Sequence, residues 1–88
     1  MKDFDSSMME MILYLYLKGG EVSGRVILQQ DLKYSNSKYY RVVSKLQNMN
    51  LIEVEYVSQA PPRTIIRLTE KGLRAAKKIK ELKEILET

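Results

Sequence analysis

Ten consecutive residues, Met8 to Leu17 (MMEMILYLYL), carry one charge, Glu10, before the chain reaches the Gly19-Gly20 pair. On a helical wheel their apolar side chains run almost all the way round. A helix that is apolar on every side has to be covered on two sides, so this segment is a central element and not a surface one. The pattern predicts a helix over residues 6–18, with Asp5, Ser6 and Ser7 as candidate N-caps, and Ser7 with Glu10 fitting a capping box. Gly19-Gly20 is the stop. At ten residues the run falls well short of the roughly 18 needed to cross a bilayer, and no signal pattern precedes it, so a soluble, cytoplasmic protein with no membrane partner is expected.

The rest of the chain alternates between the two periodicities. Glu21-Val22 reads as a short extended link. Ser23 is placed to cap a second helix over 24–32, with Leu28 and Leu32 one turn apart. Lys33-Tyr34 makes a tight turn, and Ser35 or Asn36 caps a third helix reaching about Asn48. Asn50 stands where a helix end favours a left-handed residue. Residues 51–57 (LIEVEYV) alternate like a half-buried strand and residues 64–68 (TIIRL) return as a second. Pro61 and Pro62 between them cannot sit in a ladder and mark the hairpin tip. Thr69 caps a last helix from Glu70 to about Leu86. The order predicts a mainly helical α+β fold, three helices followed by a two-stranded hairpin and a long C-terminal helix.

With 88 residues the chain is expected to form one domain over 1–88. A chain of this size buries only roughly 60% of its unfolded surface, so self-association is an expected source of stability. There is no Cys and no His. That removes disulfides, thiolate chemistry, the commonest metal ligands and the usual neutral-pH general base. The carboxylates scatter over helix surfaces and one strand, and no Gly-rich phosphate loop is present. No catalytic residue, metal site or cofactor is therefore expected, and an enzyme is the weakest functional class.

The charge is sorted along the chain. Residues 32–52 and 56–69 hold six of the fifteen basic residues (Lys33, Lys38, Arg41, Lys45, Arg63, Arg67) and none of the eleven acidic ones. At 100° per residue Ser37, Arg41, Ser44 and Asn48 share one narrow face of the third helix. Lys38 and Lys45 flank them on one side, Tyr40 and Gln47 on the other. The opposite face collects Tyr39, Val42, Val43, Leu46 and Met49. The polar strip has the groups that read base edges and phosphates: Arg forks onto guanine, Asn and Gln onto adenine, and Ser, Tyr and Lys onto phosphates. A carboxylate there would face the phosphate backbone. The plain alternative is a solvated helix face, which the charge sorting weighs against.

Two stretches, LQQDLKYSNSKYYRVVSKLQNMNLIE and RTIIRLTEKGLRAA, resemble the winged helix-turn-helix family of DNA-binding proteins, especially small MarR- and PadR-like regulators. The run KLQNMNLI stands where that family has K-L-x-x-x-G-L-I, with Asn50 in place of Gly, and LTEKG looks like its strand-to-helix junction. The turn carries Lys33 where Gly is common. The resemblance implies that the third helix enters the major groove and that the hairpin, or wing, reaches an adjacent groove or the backbone. It makes Arg63 the wing-tip contact, with Pro61 and Pro62 stiffening the tip. The candidate DNA-binding set is Ser35, Asn36, Ser37, Lys38, Tyr40, Arg41, Ser44, Lys45, Asn48, Arg63 and Arg67. Arg67 alternates away from the core and has a second candidate role, pairing with Glu53 or Glu55. Ligand-sensing members carry extra helices that build a pocket; these are largely absent at 88 residues, so no small-molecule effector is expected.

In the last helix Ala75, Ile79, Leu82 and Leu86 have the a/d spacing of a coiled-coil seam, flanked by Lys–Glu pairs at i, i+4. This helix, residues 70–88, is expected to pair two copies, with Met11, Tyr14 and Leu15 of the first helix as further interface residues; the alternative is an amphipathic helix folded back on its own domain. A homodimer would set two recognition helices about one DNA turn apart on a palindromic site. The expected function is sequence-specific binding of double-stranded DNA as a transcriptional repressor. Two alternatives stand beside it: low-specificity architectural or partition-type binding, and a winged-helix protein-interaction module in a transcription or replication assembly.

Overall fold

A computed structural model describes residues 4–88. The elements follow as α1 (Ser6–Leu17), β1 (Glu21–Ser23), α2 (Arg25–Leu32), α3 (Asn36–Asn48), β2 (Ile52–Val57), β3 (Arg63–Leu68) and α4 (Glu70–Glu87). The mainly helical α+β class is as expected. The strands form one antiparallel sheet in the order β1-β3-β2.

That sheet has one strand more than the sequence suggested. Glu21 to Ser23, read as a link, pairs with β3 in the register Glu21↔Arg67, Val22↔Ile66, Ser23↔Ile65. The pairing is bracketed by Leu68 N–H donating to the Gly20 carbonyl and Gly24 N–H donating to the Thr64 carbonyl, both at 2.8 Å. Three residues are too few for an alternating pattern to register, and the pairing partner lies more than forty positions away. The strand is formed by tertiary contact. The start of α2 shifts accordingly: Ser23 is in the strand and does not cap. Gly24 takes the N-cap position at φ 118°, with no side-chain cap, a conformation open to Gly and strained for other residues.

The N-cap of α1 is Asp5, whose carboxylate accepts from Met8 N–H at 3.0 Å. The Ser7–Glu10 capping box does not form. Ser7 offers its carbonyl, and Glu10 its carboxylate, to the Tyr34 hydroxyl at 2.7 and 2.9 Å. The other caps follow the sequence. Ser35 accepts from Lys38 N–H, and Thr69 accepts from Gly72 N–H. Lys33 and Asn50 both adopt left-handed backbones, φ 59° and 60°.

As its composition requires, α1 is the centre of the molecule. Met8, Met11, Ile12 and Leu15 are fully buried along one stripe. They meet Leu28 of α2, Tyr39, Val42, Val43 and Leu46 of α3, Ile66 of the central strand and Ala76 of α4 within one continuous core. The first half of α4 folds back along α1, so Ala75 and Ile79 pack against this core. Residues 81–88 run past it and are exposed.

The junction between α3 and α4 is tightly stitched. Thr69 hydroxyl donates to the Asn50 carbonyl at 2.7 Å, Thr69 N–H to the Leu51 carbonyl at 3.1 Å, and Lys71 Nζ to the Met49 carbonyl at 2.9 Å. Gly72 is buried so close to the Leu51 carbonyl oxygen that a Cβ would overlap it.

Three tyrosines tie the helices together and set an alkaline limit. Burial, with Tyr56 and Tyr40 adding, raises the Tyr39 phenol to about 12. Burial and the hydrogen bond to Asp31 raise Tyr14 to about 12 as well, and Tyr34 is also raised, by burial first. Below pH 10 these phenols are protonated in both folded and unfolded chains and contribute no pH dependence. Between pH 10 and about 12 the unfolded phenols ionise while the folded ones do not, so stability falls as pH rises. For Tyr39 the expected loss by pH 11 is about 1 kcal/mol. Urea midpoints at pH 9 and 11 measure it, and Tyr39→Phe should flatten the fall.

Candidate nucleic-acid interface

The two faces of α3 divide as the periodicity predicts. Tyr39, Val42, Val43 and Leu46 are buried, whereas Ser37, Arg41, Ser44 and Asn48 form an exposed strip. Around the strip each predicted residue has a definite local tether. The Ser35 hydroxyl accepts from Lys38 N–H at 3.1 Å, leaving its own proton free to donate. Asn36 Oδ1 accepts from Gln29 Nε2 at 2.9 Å, which leaves the Asn36 amide N–H groups as donors. Lys38 Nζ lies 4.5 Å from the Tyr34 ring centroid. Tyr40 is 53% exposed and meets Tyr39 edge-on, with centroids 5.0 Å apart.

The fold does bring one acid to this acid-free helix. Arg41 Nη1 lies 3.6 Å and Lys45 Nζ 4.0 Å from the Asp5 carboxylate at the start of α1. Sequence windows see only neighbours in the chain, and Asp5 is 36 positions from Arg41.

Arg25 was missed at the sequence level. Its guanidinium sits 5.9 Å from the ring centroids of both Tyr39 and Tyr40 and bonds to Gln29 Oε1. Gln29 also donates to the Tyr34 carbonyl at 3.3 Å. An Arg25–Gln29–Asn36 chain therefore fixes the first turn of α3 against α2. The available signal was the i, i+4 spacing of Arg25 and Gln29, which sets them side by side on α2, flanking the face of Leu28 and Leu32.

On the wing, Arg63 is exposed beside the Pro61-Pro62 tip, as expected. Tyr56, three-quarters exposed on the neighbouring strand, was not among the expected contacts. Arg67 takes the second of its two candidate roles. Its guanidinium bridges Glu55 at 3.1 Å and Glu21 at 3.4 Å, joining all three strands, and both carboxylates hold its pKa above the usual arginine range. Of the two carboxylates expected, Glu55 is the partner; Glu53, directly opposite in register, is not. With its charge matched twice, Arg67 serves the sheet, and we leave it out of the interface.

The expected dimer set is also redistributed. Met11 and Leu15 are core residues with no exposed surface. Tyr14 donates to Asp31 at 2.6 Å and anchors α1 to α2. Ala75 and Ile79 pack within their own chain. Only Leu82 and Leu86 of that set stand well exposed, at 53% and 73%. With Met9, Leu13, Tyr14 and Leu17 of α1 and Ile79 of α4 they line an apolar groove of about 560 Å³. Of the three α1 residues expected at the interface, Tyr14 borders this groove, whereas Met11 and Leu15 face the core. Large apolar residues stand on both faces, and what separates them is Glu10, the one charge of residues 8–17, which lies on the groove side.

Among the described residues no helix is long and apolar enough to cross a membrane, and no cluster of acidic side chains could hold a metal ion. Three helices around a core, a helix with an exposed polar strip and a hairpin wing define a winged helix-turn-helix fold. It is the architecture of the MarR-like regulators the sequence resembles. The chain is similar to AF1382 from Archaeoglobus fulgidus, 25% identical over 98% of this chain and 93% of that one, with a TM-score of 0.79. A transcriptional regulator homologue from Pyrococcus horikoshii is 19% identical over 96% and 84%, TM-score 0.77. MepR of S. aureus, in a structure with DNA, is 17% identical, TM-score 0.78; the match covers 97% of this chain and 60% of that one. No family model and no curated protein sequence matches the chain.

Proposed function

We propose that this chain is a sequence-specific double-stranded DNA-binding protein that regulates transcription, a repressor acting as a homodimer on a palindromic site. The observation that carries the reading is the exposed strip of α3, where Ser37, Arg41, Ser44 and Asn48 stand on one face with Lys38, Lys45 and Tyr40 at its edges and no acidic residue on the helix. Asn36 and Ser35 add donors at its first turn, and Arg63 supplies a cation on the wing. The fold is shared with a regulator solved on DNA, MepR. Within this reading the exposed strip of α3 faces base edges in the major groove and Arg63 faces phosphate. Residues 1–88 act as one winged-helix domain. The pairing surface moves from the expected set to the groove of Tyr14, Ile79, Leu82 and Leu86 with Met9, Leu13 and Leu17. We assign that groove to a second copy and not to an effector. Its rim carries Glu10, Lys83 and Glu87, charges of both signs that a two-fold partner can match.

Fluorescence anisotropy on random duplex DNA from about 50 to 200 mM salt tests the reading. Six or more phosphate contacts per dimer give log K against log salt a slope of about −5 or steeper. On a selected site Arg41→Ala should cost about 1–3 kcal/mol and relax specificity, while Lys45→Ala weakens all sequences alike. Equal losses for both variants on selected and random DNA would remove that division of roles. A specific-to-random ratio near one would select the architectural reading. No binding at the lowest salt would turn attention to the exposed Tyr40 and Tyr56 as protein contacts.

A further inference from the structure

Among the described residues, Asp5 beside Arg41 and Lys45 is where an acidic group enters the basic strip, and it does so from another element. We propose that Asp5 is a specificity-determining residue: its carboxylate occupies the position a phosphate would take and so suppresses binding to DNA without the right base beside Arg41. The inference rests on α3 being the DNA-facing helix.

The geometry supports it in three ways. The carboxylate is held in place, since Asp5 is the N-cap of α1 and accepts from Met8 N–H at 3.0 Å. The α1 helix it caps buries Met8, Met11, Ile12 and Leu15 in the core, so the carboxylate cannot drift from the strip without uncapping that helix. Both cations it meets, Arg41 at 3.6 Å and Lys45 at 4.0 Å, belong to the strip, one turn apart. Its carboxyl is held below the ordinary carboxylate range, by the Met8 N–H first and then by Lys45 and Arg41, so it stays charged at neutral pH.

An arginine already paired with a carboxylate gains little by exchanging it for a phosphate, because one oxyanion replaces another. A guanine edge offers something the carboxylate at 3.6 Å does not, two acceptors in the plane of the guanidinium fork. At the same time Asp5 repels a phosphate placed over Lys45. Random DNA, which offers phosphates everywhere and the right base seldom, therefore loses more than the correct site does.

Asp5→Asn separates the charge from the cap, because Asn is as good an N-cap as Asp. Asp5→Ser does the same with a different side chain and guards against a folding defect peculiar to one variant. Anisotropy on random duplex DNA should show both variants binding about threefold tighter than wild type, or more, at about 50 mM salt. The salt slope should steepen by about one per protomer, and the gain should shrink towards 200 mM. Wild type that binds while both variants bind equally or more weakly would overturn the inference and leave the DNA reading standing; weaker binding would make Asp5 a residue that positions Arg41. Wild type that fails to bind at about 50 mM salt would overturn both.

Discussion

Gly72→Ala is expected to destabilise the protein by about 2–3 kcal/mol, the largest stability change of any single methyl addition here. Helix formation alone predicts the opposite sign. Gly72 lies in the first turn of α4, where Ala is the better helix former by about 1 kcal/mol. What decides the outcome is the Leu51 carbonyl oxygen, which a Cβ at this position would overlap, with the Leu68 side chain crowding from the other side. Backbone cannot rotate away as a side chain can. The same carbonyl accepts from Thr69 N–H, so moving it also loosens the Thr69 cap and its bond to Asn50. Thermal unfolding should fall by about 10–20 °C, given about 4–8 °C per kcal/mol for a chain of this size. An unchanged or raised midpoint would mean that α4 can slide off the α3 terminus without cost.

This junction also marks how far a sequence can be read. Its local parts were legible: Asn50 as the left-handed residue, Thr69 as the cap, the alternation of both wing strands and the amphipathic division of α3. Each depends on residues within about four positions, where periodicity and capping chemistry act. The stitching of Lys71 to Met49 and the close approach of Gly72 to Leu51 join points about twenty residues apart, and no local pattern encodes them. The same limit hid β1, a strand that exists only because β3 lies beside it. It hid Asp5 beside Arg41, and it hid Glu21 as the second partner of Arg67, whose pairing with Glu55 the strand register did suggest. The first helix's outer face was legible in part: Tyr14 borders the open groove, while Met11 and Leu15 lie in the core. When a helix is apolar nearly all round, hydrophobicity identifies it as central and says little about which neighbour covers which side.

That outer face carries the second large effect. Met9, Leu13 and Leu17 of α1 and Leu82 and Leu86 of α4 leave an apolar groove open along the same side of the molecule. Leu17, Leu82 and Leu86 are all more than half exposed. Burying such side chains contributes roughly 1.5–3 kcal/mol each, so a two-fold pairing that covers the groove on both copies has ample driving force. A carboxylate in the groove should reverse it, because an unpaired charge in an apolar interface is not compensated. Leu82→Glu is therefore expected to convert a dimer into a monomer at tens of micromolar in sedimentation equilibrium. Its affinity for a palindromic duplex should drop by about 100-fold or more as the two half-sites cease to be linked. Each protomer should keep its fold, since Leu82 lies beyond the buried core. Ile85→Glu supplies the control: Ile85 is 69% exposed on the same helix but lies outside the groove, so the dimer should survive it. Dissociation by both variants alike would point to general loss of the helix end, and a wild type that sediments as a monomer would leave the groove without its second copy.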